Sequence, residues 1–566
     1  MSLNSSGKPR FTTETILYAV IILIGVGLRF ALLGDQPLND AEASLALQAM
    51  ASSRGETTAL AGEPGYLSLT TALFFIFGPS DFWARFWPAI LGAGAILLPL
   101  LYRARFGKNV SLLLTGFIAL DPVLIGISRT ADGSSLALVG LLAGIGLLLM
   151  RKLIPAGVSL GLAFAGGQGI WSGLLLLLGV MGFNRIFPGA RSEDSPLGAL
   201  NRKDAAIVAA IAVLTLVLTS TLFLMTPGGM SAIGSSLAQF FTSLKGISGG
   251  AFLAWLLMEF PFIILALWGM VDGLLRKDAT VRLLTSWWGL GMVITIITTG
   301  DGVNRFFWVS IPVLTLAAIK TAELISERSI QSKPVFFAES LLVVALFVFS
   351  FLNLLALINN VSLGTEETRN RIIGALLPII LLVILTVLLT WGWSASSTRK
   401  GFIAGVLVLF FLALISNTWK AANLGSAPEQ ELANGLSYPV GRKNLINSIS
   451  DISRWNTGYA DRIDILLIGS DQPSLIWTLR DFEDLRMETG YNPSQLASLV
   501  LTGVEQSIES SSSYRGQKIL WSVEPDTPAM RFNDWMKWVF FRQAPVEKTE
   551  LVLWARNDLF AGTSSP

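Results

Sequence analysis

The chain has 566 residues, 52% of them hydrophobic and only 14% charged, with a net charge of +2 and a mean hydropathy of +0.61. A soluble globular chain carries about 25% charged residues, so this one is solvated mainly by lipid, and its near-neutral balance offers no footing for nucleic acid. It contains no cysteine and no histidine, which excludes disulfides, thiolate nucleophiles, serine–histidine triads and most zinc sites, and leaves acid, base and anion chemistry to carboxylates and arginines.

A crossing helix needs roughly 20 mostly apolar residues. On that rule the expectation is an α-helical polytopic membrane protein with about thirteen spans. They fall near 16–34, 86–103, 109–127, 134–150, 153–168, 169–187, 204–225, 251–272, 283–300, 306–325, 335–358, 372–394 and 401–417. Ile16 to Leu33 is of full span length without a small-residue cleavage site after it, and reads as an anchor rather than a cleaved signal. Tyr66 to Phe77, between Pro64-Gly65 and Gly78-Pro79, is shorter and reads as an interfacial or re-entrant helix.

Basic residues recur on alternate loops: Lys8 and Arg10, then Arg103, Arg105 and Lys108, then Arg151 and Lys152, and so on to Arg399 and Lys400. Positive-inside places the N-terminus in the cytoplasm, and an odd number of crossings places the tail outside. The chain therefore divides into a multi-pass transmembrane domain, 1–417, with an acidic outer loop at 35–85, and an extracytoplasmic domain, 418–566. The tail holds β-rich runs at 463–468, 499–501, 519–523 and 551–554, separated by helix-like stretches at Ser474 to Leu485 and Asn533 to Phe541. That alternation predicts a small α/β domain. Gly469-Ser470-Asp471 lacks a glycine fingerprint and reads as a plain strand-to-helix turn rather than a phosphate site.

Charges gather at the outer boundary. Pro37-Leu38-Asn39-Asp40-Ala41-Glu42-Ala43 follows the first span, Arg85 opens the second, and Arg129 and Asp132 lie between the third and fourth. Asp301, Asn304 and Arg305 open the tenth. Taken singly, an arginine at a span end snorkels and an acid in an outer loop is solvated, the reading given to Asp81 and Asp121. Taken together, arginines that grip phosphate oxygens and carboxylates that take a proton or hold a divalent metal suit a lipid-linked phosphate donor with an external acceptor. Asp40, Arg129 and Arg305 are expected to meet in one water-accessible cavity. Glu259, inside the eighth span, is either functional or paired with an arginine of the bundle.

The runs Pro64-Gly65-Tyr66-Leu67 and Asp81-Phe82-Trp83-Ala84-Arg85-Phe86-Trp87-Pro88, with Arg103, Arg105 and Phe106-Gly107 closing the second span, resemble the early region of the C-type glycosyltransferases. These include the protein O-mannosyltransferases and the aminoarabinose-lipid A transferases. Asp121-Pro122 followed by Ser128-Arg129 and Asp132 is similar to their next landmark, and Asn304-Arg305-Phe306 with Pro312 to a later one. Trp477 to Asp481 and Phe541-Arg542 look like the tail of a prokaryotic subgroup. The likeness covers roughly the first 150 residues most fully. It implies a C-type transferase fold, a polyprenyl-phosphate-sugar donor, a glycan, lipid or protein acceptor, and a plasma-membrane location. By resemblance Asp40 is the general base and Glu42 a second acid; Arg85, Arg129 and Arg305 face the donor phosphate, Asp132 positions one of them, and Asp301 and Asn304 complete the substrate site. A divalent cation stays open. One departure stands out: aligning Glu42-Ala43 with the family's Glu-Ala puts Ala41 where its aspartate belongs. That keeps a non-catalytic relative binding lipid-linked glycans or partners as an alternative. A lipid or glycan transporter is the other, although no internal repeat supports it.

Overall fold

The computed structural model describes residues 12–56, 62–186, 201–244, 249–298, 302–326, 330–359, 364–425, 428–432, 437–469, 471–490, 497–505 and 513–563. Asp301 and Ser470 lie outside the described residues.

The first half runs through α1 (Thr13–Phe30), α2 (Asp40–Ser53), α3 (Pro64–Phe77), α4 (Asp81–Ala95) and two single turns, α5 (Leu98–Leu101) and α6 (Arg103–Phe106). It continues with α7 (Lys108–Leu120), α8 (Pro122–Arg129), α9 (Ser134–Leu149), α10 (Leu153–Phe164), α11 (Gln168–Ile186), α12 (Arg202–Ser220) and α13 (Ser231–Thr242). Then come α14 (Gly249–Leu275), α15 (Ala279–Ile297), α16 (Phe307–Ser326), α17 (Lys333–Asn359), α18 (Thr365–Leu389) and α19 (Ala395–Ala421). Local chemistry sets many of these limits. Thr12, Asn39, Ser80, Asp121 and Asp278 cap α1, α2, α4, α8 and α15 with side-chain oxygens on free N–H groups. Gly78 and Gly107 close α3 and α6 at φ of 80°, where a side chain would be strained.

Among the described residues eight helices are long and apolar enough to cross a membrane, or nine when α7 and α8 count as one bent span. The chain is a multi-pass membrane protein, but the expected count of about thirteen is not confirmed. Several stretches read as spans are short helices, with 15 residues in α4, 16 in α9 and 12 in α10. The stretch near 109–127 is broken, because Asp121 precedes a proline and is held extended, so α7 and α8 meet at 54°. The long run Thr365–Ala421 reverses at Ser394, which caps α19. Ser350 and Glu339 of α17 bond Ala375 and Thr386 of α18, an antiparallel pairing, while Ser332 and Ser340 bond Ser397 and Gly401 of α19 in parallel.

The bundle's core joins α4 to α11 with α14 to α16 around Trp255, Phe262, Phe306 and Trp308. Gly92 lets α4 lie against α8, since a Cβ there would stand 2.2 Å from that of Ser128.

The tail forms a five-stranded sheet of β1 (Ile465–Ile468), β2 (Leu485–Glu488), β3 (Leu499–Gly503), β4 (Tyr514–Pro525) and β5 (Val546–Arg556), in the order β2-β1-β3-β5-β4. β1 is parallel to β2 and β3, while β5 is antiparallel to β3 and β4. β1 is buried along its whole length, as a central parallel strand covered on both faces must be. Helices α20 (Arg442–Thr457), α21 (Pro473–Leu479) and α22 (Phe532–Phe541) accompany it. Leu445 and Ile449 of α20 and Leu475 and Leu479 of α21 pack with Leu467, Leu501 and Trp521 of the sheet. The expected helix from Ser474 to Leu485 stops at Leu479, and Leu485 instead begins β2, an edge strand whose polar side chains conceal it from pattern reading.

Candidate functional site

The site is built around Glu42, which is 3% exposed. Asn39 and Glu42 form a capping box: Glu42 N–H donates to Asn39 Oδ1 at 3.0 Å, and Asn39 N–H donates to Glu42 Oε2 at 3.1 Å. Arg85 of α4 closes on the same carboxylate with two bonds, Nε to Oε1 at 2.9 Å and Nη2 to Oε2 at 2.7 Å. The Ala131 N–H adds a bond to Oε1 at 2.8 Å. The remaining Arg85 donors go to the carbonyls of Gln36 at 2.7 Å and Pro37 at 3.1 Å. Glu42 and Arg85 thus tie α2, α4 and the turn after α8 into one rigid wall. Their mutual attraction holds the Arg85 guanidinium above its usual range against the opposing effect of burial.

That wall borders a cavity of about 320 Å³ in which Glu42, Asp132, Asn304 and Arg305 meet. These residues lie up to 263 positions apart in sequence, and the structure brings them together. Asn304 Nδ2 donates to Thr130 Oγ1 at 3.3 Å, while its Oδ1 is buried among the described residues without a partner. On α11 and α15 the lining is mixed, with Leu176 and Ile294 beside Ser172 and Thr295.

Two of the residues expected to converge are placed otherwise. Asp40 does not line the cavity; its Oδ1 accepts the Ser474 N–H at 3.0 Å and the Ser474 hydroxyl at 2.6 Å, across the junction with the tail. Ala41, next to it, is the residue of that pair that borders the cavity. Arg129 is 6% exposed and spends its Nη1 on the carbonyls of Leu28, Arg29 and Ala31, closing the C-terminal end of α1. The convergence expected of Asp40, Arg129 and Arg305 is therefore met by Arg305 alone among them. Asp81 and Asp121 are not solvated either. Asp81 receives Trp477 Nε1 at 2.6 Å and an ion pair from Arg442, and Asp121 caps α8 through the Leu124 N–H at 2.7 Å. Glu259 pairs with the Ser310 hydroxyl at 2.5 Å rather than with an arginine.

Sequence reasoning missed Glu63. It occupies the N-cap of α3 but makes no capping bond; its Oε2 instead accepts the Gly133 N–H at 2.8 Å, and it borders the cavity beside Asp132. The available signal was an acid directly before a helix-opening proline, Glu63-Pro64. Burial pushes Glu63 up to about 8, and the neighbouring Asp132 carboxylate adds to the rise against the pull of the Gly133 N–H. Asp132 is pushed up to about 7, again by burial first, with the Ser134 hydrogen bonds opposing it. Two neighbouring half-buried carboxyls do not readily ionise together. Among the described residues no group of three His, Cys, Asp or Glu side chains is placed to hold a metal ion.

No protein-family model and no curated protein matches the chain by sequence. Among solved structures, ArnT from Cupriavidus metallidurans in the apo state superposes with a TM-score of 0.54 over 98% of this chain and 100% of that one, at 11% identity. The same protein bound to undecaprenyl phosphate gives a TM-score of 0.53 over 96% and 98%, at 12% identity. The likeness spans the bundle and the tail alike, and this chain has the fold of ArnT.

Proposed function

We propose that the protein is a membrane glycosyltransferase that moves a sugar from a polyprenyl-phosphate-linked donor to a glycan, lipid or protein acceptor on the extracytoplasmic side, with its N-terminus in the cytoplasm. The observation that carries this reading is the cavity whose lining gathers the Glu63–Asp132 carboxyl pair with Arg305 and Asn304. In one displacement, the acceptor hydroxyl oxygen bonds to the anomeric carbon while its proton passes to the ionised member of the pair. The bond from that carbon to the phosphate oxygen breaks, and the polyprenyl phosphate leaves with the electron pair, its charge met by the Arg305 guanidinium. Glu42, Arg85 and Arg129 hold the walls, and Asp40 fastens the tail. ArnT's occupancy by undecaprenyl phosphate supports a polyprenyl lipid as the donor's carrier.

The test is transfer of a radiolabelled sugar from a polyprenyl-phosphate donor by the purified protein. Glu63→Gln and Asp132→Asn are each expected to lower transfer by about 10²–10⁴-fold, the usual range for a general base, with donor binding retained. Full transfer by both variants would remove the pair from the mechanism. A second reading, a non-catalytic relative that binds lipid-linked glycans, is favoured by Ala41, which brings no carboxylate to the cavity. Donor binding without transfer to any acceptor would establish it.

A further inference from the structure

Two acids beneath the cavity have no part in that reaction. Asp121 and Glu259 are both fully buried. Asp121 sits where α7 bends into α8; its Oδ1 accepts the Leu124 N–H, and its Oδ2 has no partner among the described residues. Glu259, on α14, accepts the Ser310 hydroxyl through Oε1, and its Oε2 also lacks a partner. The two carboxyls are neighbours, close enough to share a hydrogen bond once one of them holds a proton.

The basic group acting on Asp121 is Arg29 of α1, which is also fully buried. Its terminal nitrogens are spent on the carbonyls of Gly25, Ile118 and Ala119, and its Nε has no partner among the described residues. Arg129 is the next charge and repels Arg29. Two adjacent carboxylates in a lipid-embedded core are not both ionised, because neither repulsion nor lost hydration is compensated there. Both free oxygens would also be acceptors facing acceptors. A single proton removes both conflicts, because it turns one carboxyl into a donor and leaves one negative charge to balance the one positive charge of Arg29.

We propose that Asp121 and Glu259 share one proton, forming a singly charged pair that neutralises Arg29 and pins the α7–α8 bend against α14 and α16. These helices carry the cavity's walls. α8 runs directly into Thr130 and Asp132, and α16, which holds Ser310, starts two residues after Arg305. The pair consists of positioning residues, acting on the site through the two helices they join.

Full-length protein in lipid nanodiscs tests this by infrared difference spectroscopy and thermal unfolding. Glu259→Gln and Asp121→Asn are each expected to remove the carbonyl band of one protonated carboxyl, since the amide takes over as donor to the remaining carboxylate. Each single variant should keep most of the wild-type unfolding midpoint. The double variant leaves Arg29 without a counter-charge, and its midpoint should fall by more than the two single shifts together. Loss of no band in either single variant, or single variants as unstable as the double, would overturn the proposal. An effect on sugar transfer rests on the function proposed above. If the wild type transfers no sugar, that function fails while the infrared and thermal results still decide the pair.

Discussion

Ser474 holds Asp40 from 434 residues away, donating both its backbone N–H and its hydroxyl to one carboxylate oxygen at 3.0 and 2.6 Å. The bond sets the first turn of α2 against the first turn of α21. Beside it, Asp81 receives Trp477 and Arg442, and Phe74 stacks on Trp477 at 5.9 Å, so the outer loop and the sheet domain form one joint. This joint turns an acid expected in the cavity toward the tail.

Substitution at Asp40 should separate these roles. Asn keeps the accepting oxygen, so Asp40→Asn is expected to leave sugar transfer within a few-fold of wild type, while Asp40→Ala loses both bonds and about 2 kcal/mol of stability. Thermal unfolding and proteolytic nicking of the tail read the second effect. If Asp40→Asn instead removes transfer as fully as Glu63→Gln does, Asp40 is the base.

Glu42→Gln should act on the fold more than on the proton. It leaves the buried Arg85, 4% exposed, without the carboxylate it pairs with. Breaking a buried ion pair by neutralising one partner costs about 3–5 kcal/mol. A large fall in the unfolding midpoint is expected, and an unchanged midpoint would show that the pair does not hold the wall.

The raised Glu63–Asp132 pair fixes a direction for pH. Its base must be ionised, so the transfer rate should climb as pH rises through the range of about 7 to 8 to which burial pushes the two groups. Stability runs the other way. An unfolded carboxyl titrates near 4, so between there and the raised values the folded chain binds more protons, and stability is fullest at low pH and falls as pH rises through that window. Glu63→Gln should weaken the fall, since its own raised titration is removed. A rate independent of pH from 6 to 9 would exclude the pair as base; that window is set to bracket the two shifts by about one unit on each side.

Gly126 offers a test of the cavity's other wall. A Cβ at this position would stand 2.2 Å from Asn304 Oδ1. Gly126→Ala is therefore expected to push Asn304 off Thr130, shift the adjacent Arg305 and weaken donor binding by about tenfold, equivalent to about 1.4 kcal/mol. Equilibrium binding of a polyprenyl phosphate measures it, and unchanged affinity would place the donor elsewhere.

Hydropathy alone determined that this chain lives in a membrane, because burying 20-residue apolar runs in lipid needs no partner to be specified. Strand periodicity likewise marked β1, β3, β4 and β5, whose buried faces repeat along the chain, while polar β2 escaped it. The site was only partly legible. Glu42, Asp132, Asn304 and Arg305 could be named, but which charges face the cavity depends on partners 43 to 434 residues distant. Only the tertiary structure decided that Arg129 serves the carbonyls of α1, that Arg85 serves Glu42, and that Asp40 serves Ser474. One residue along a helix rotates a side chain by about 100°, enough to turn Asp40 to the tail and Ala41 to the cavity. The same packing carried Glu63, an acid that no periodicity or motif singled out, to Asp132, because a buried carboxyl is placed by the N–H group that donates to it.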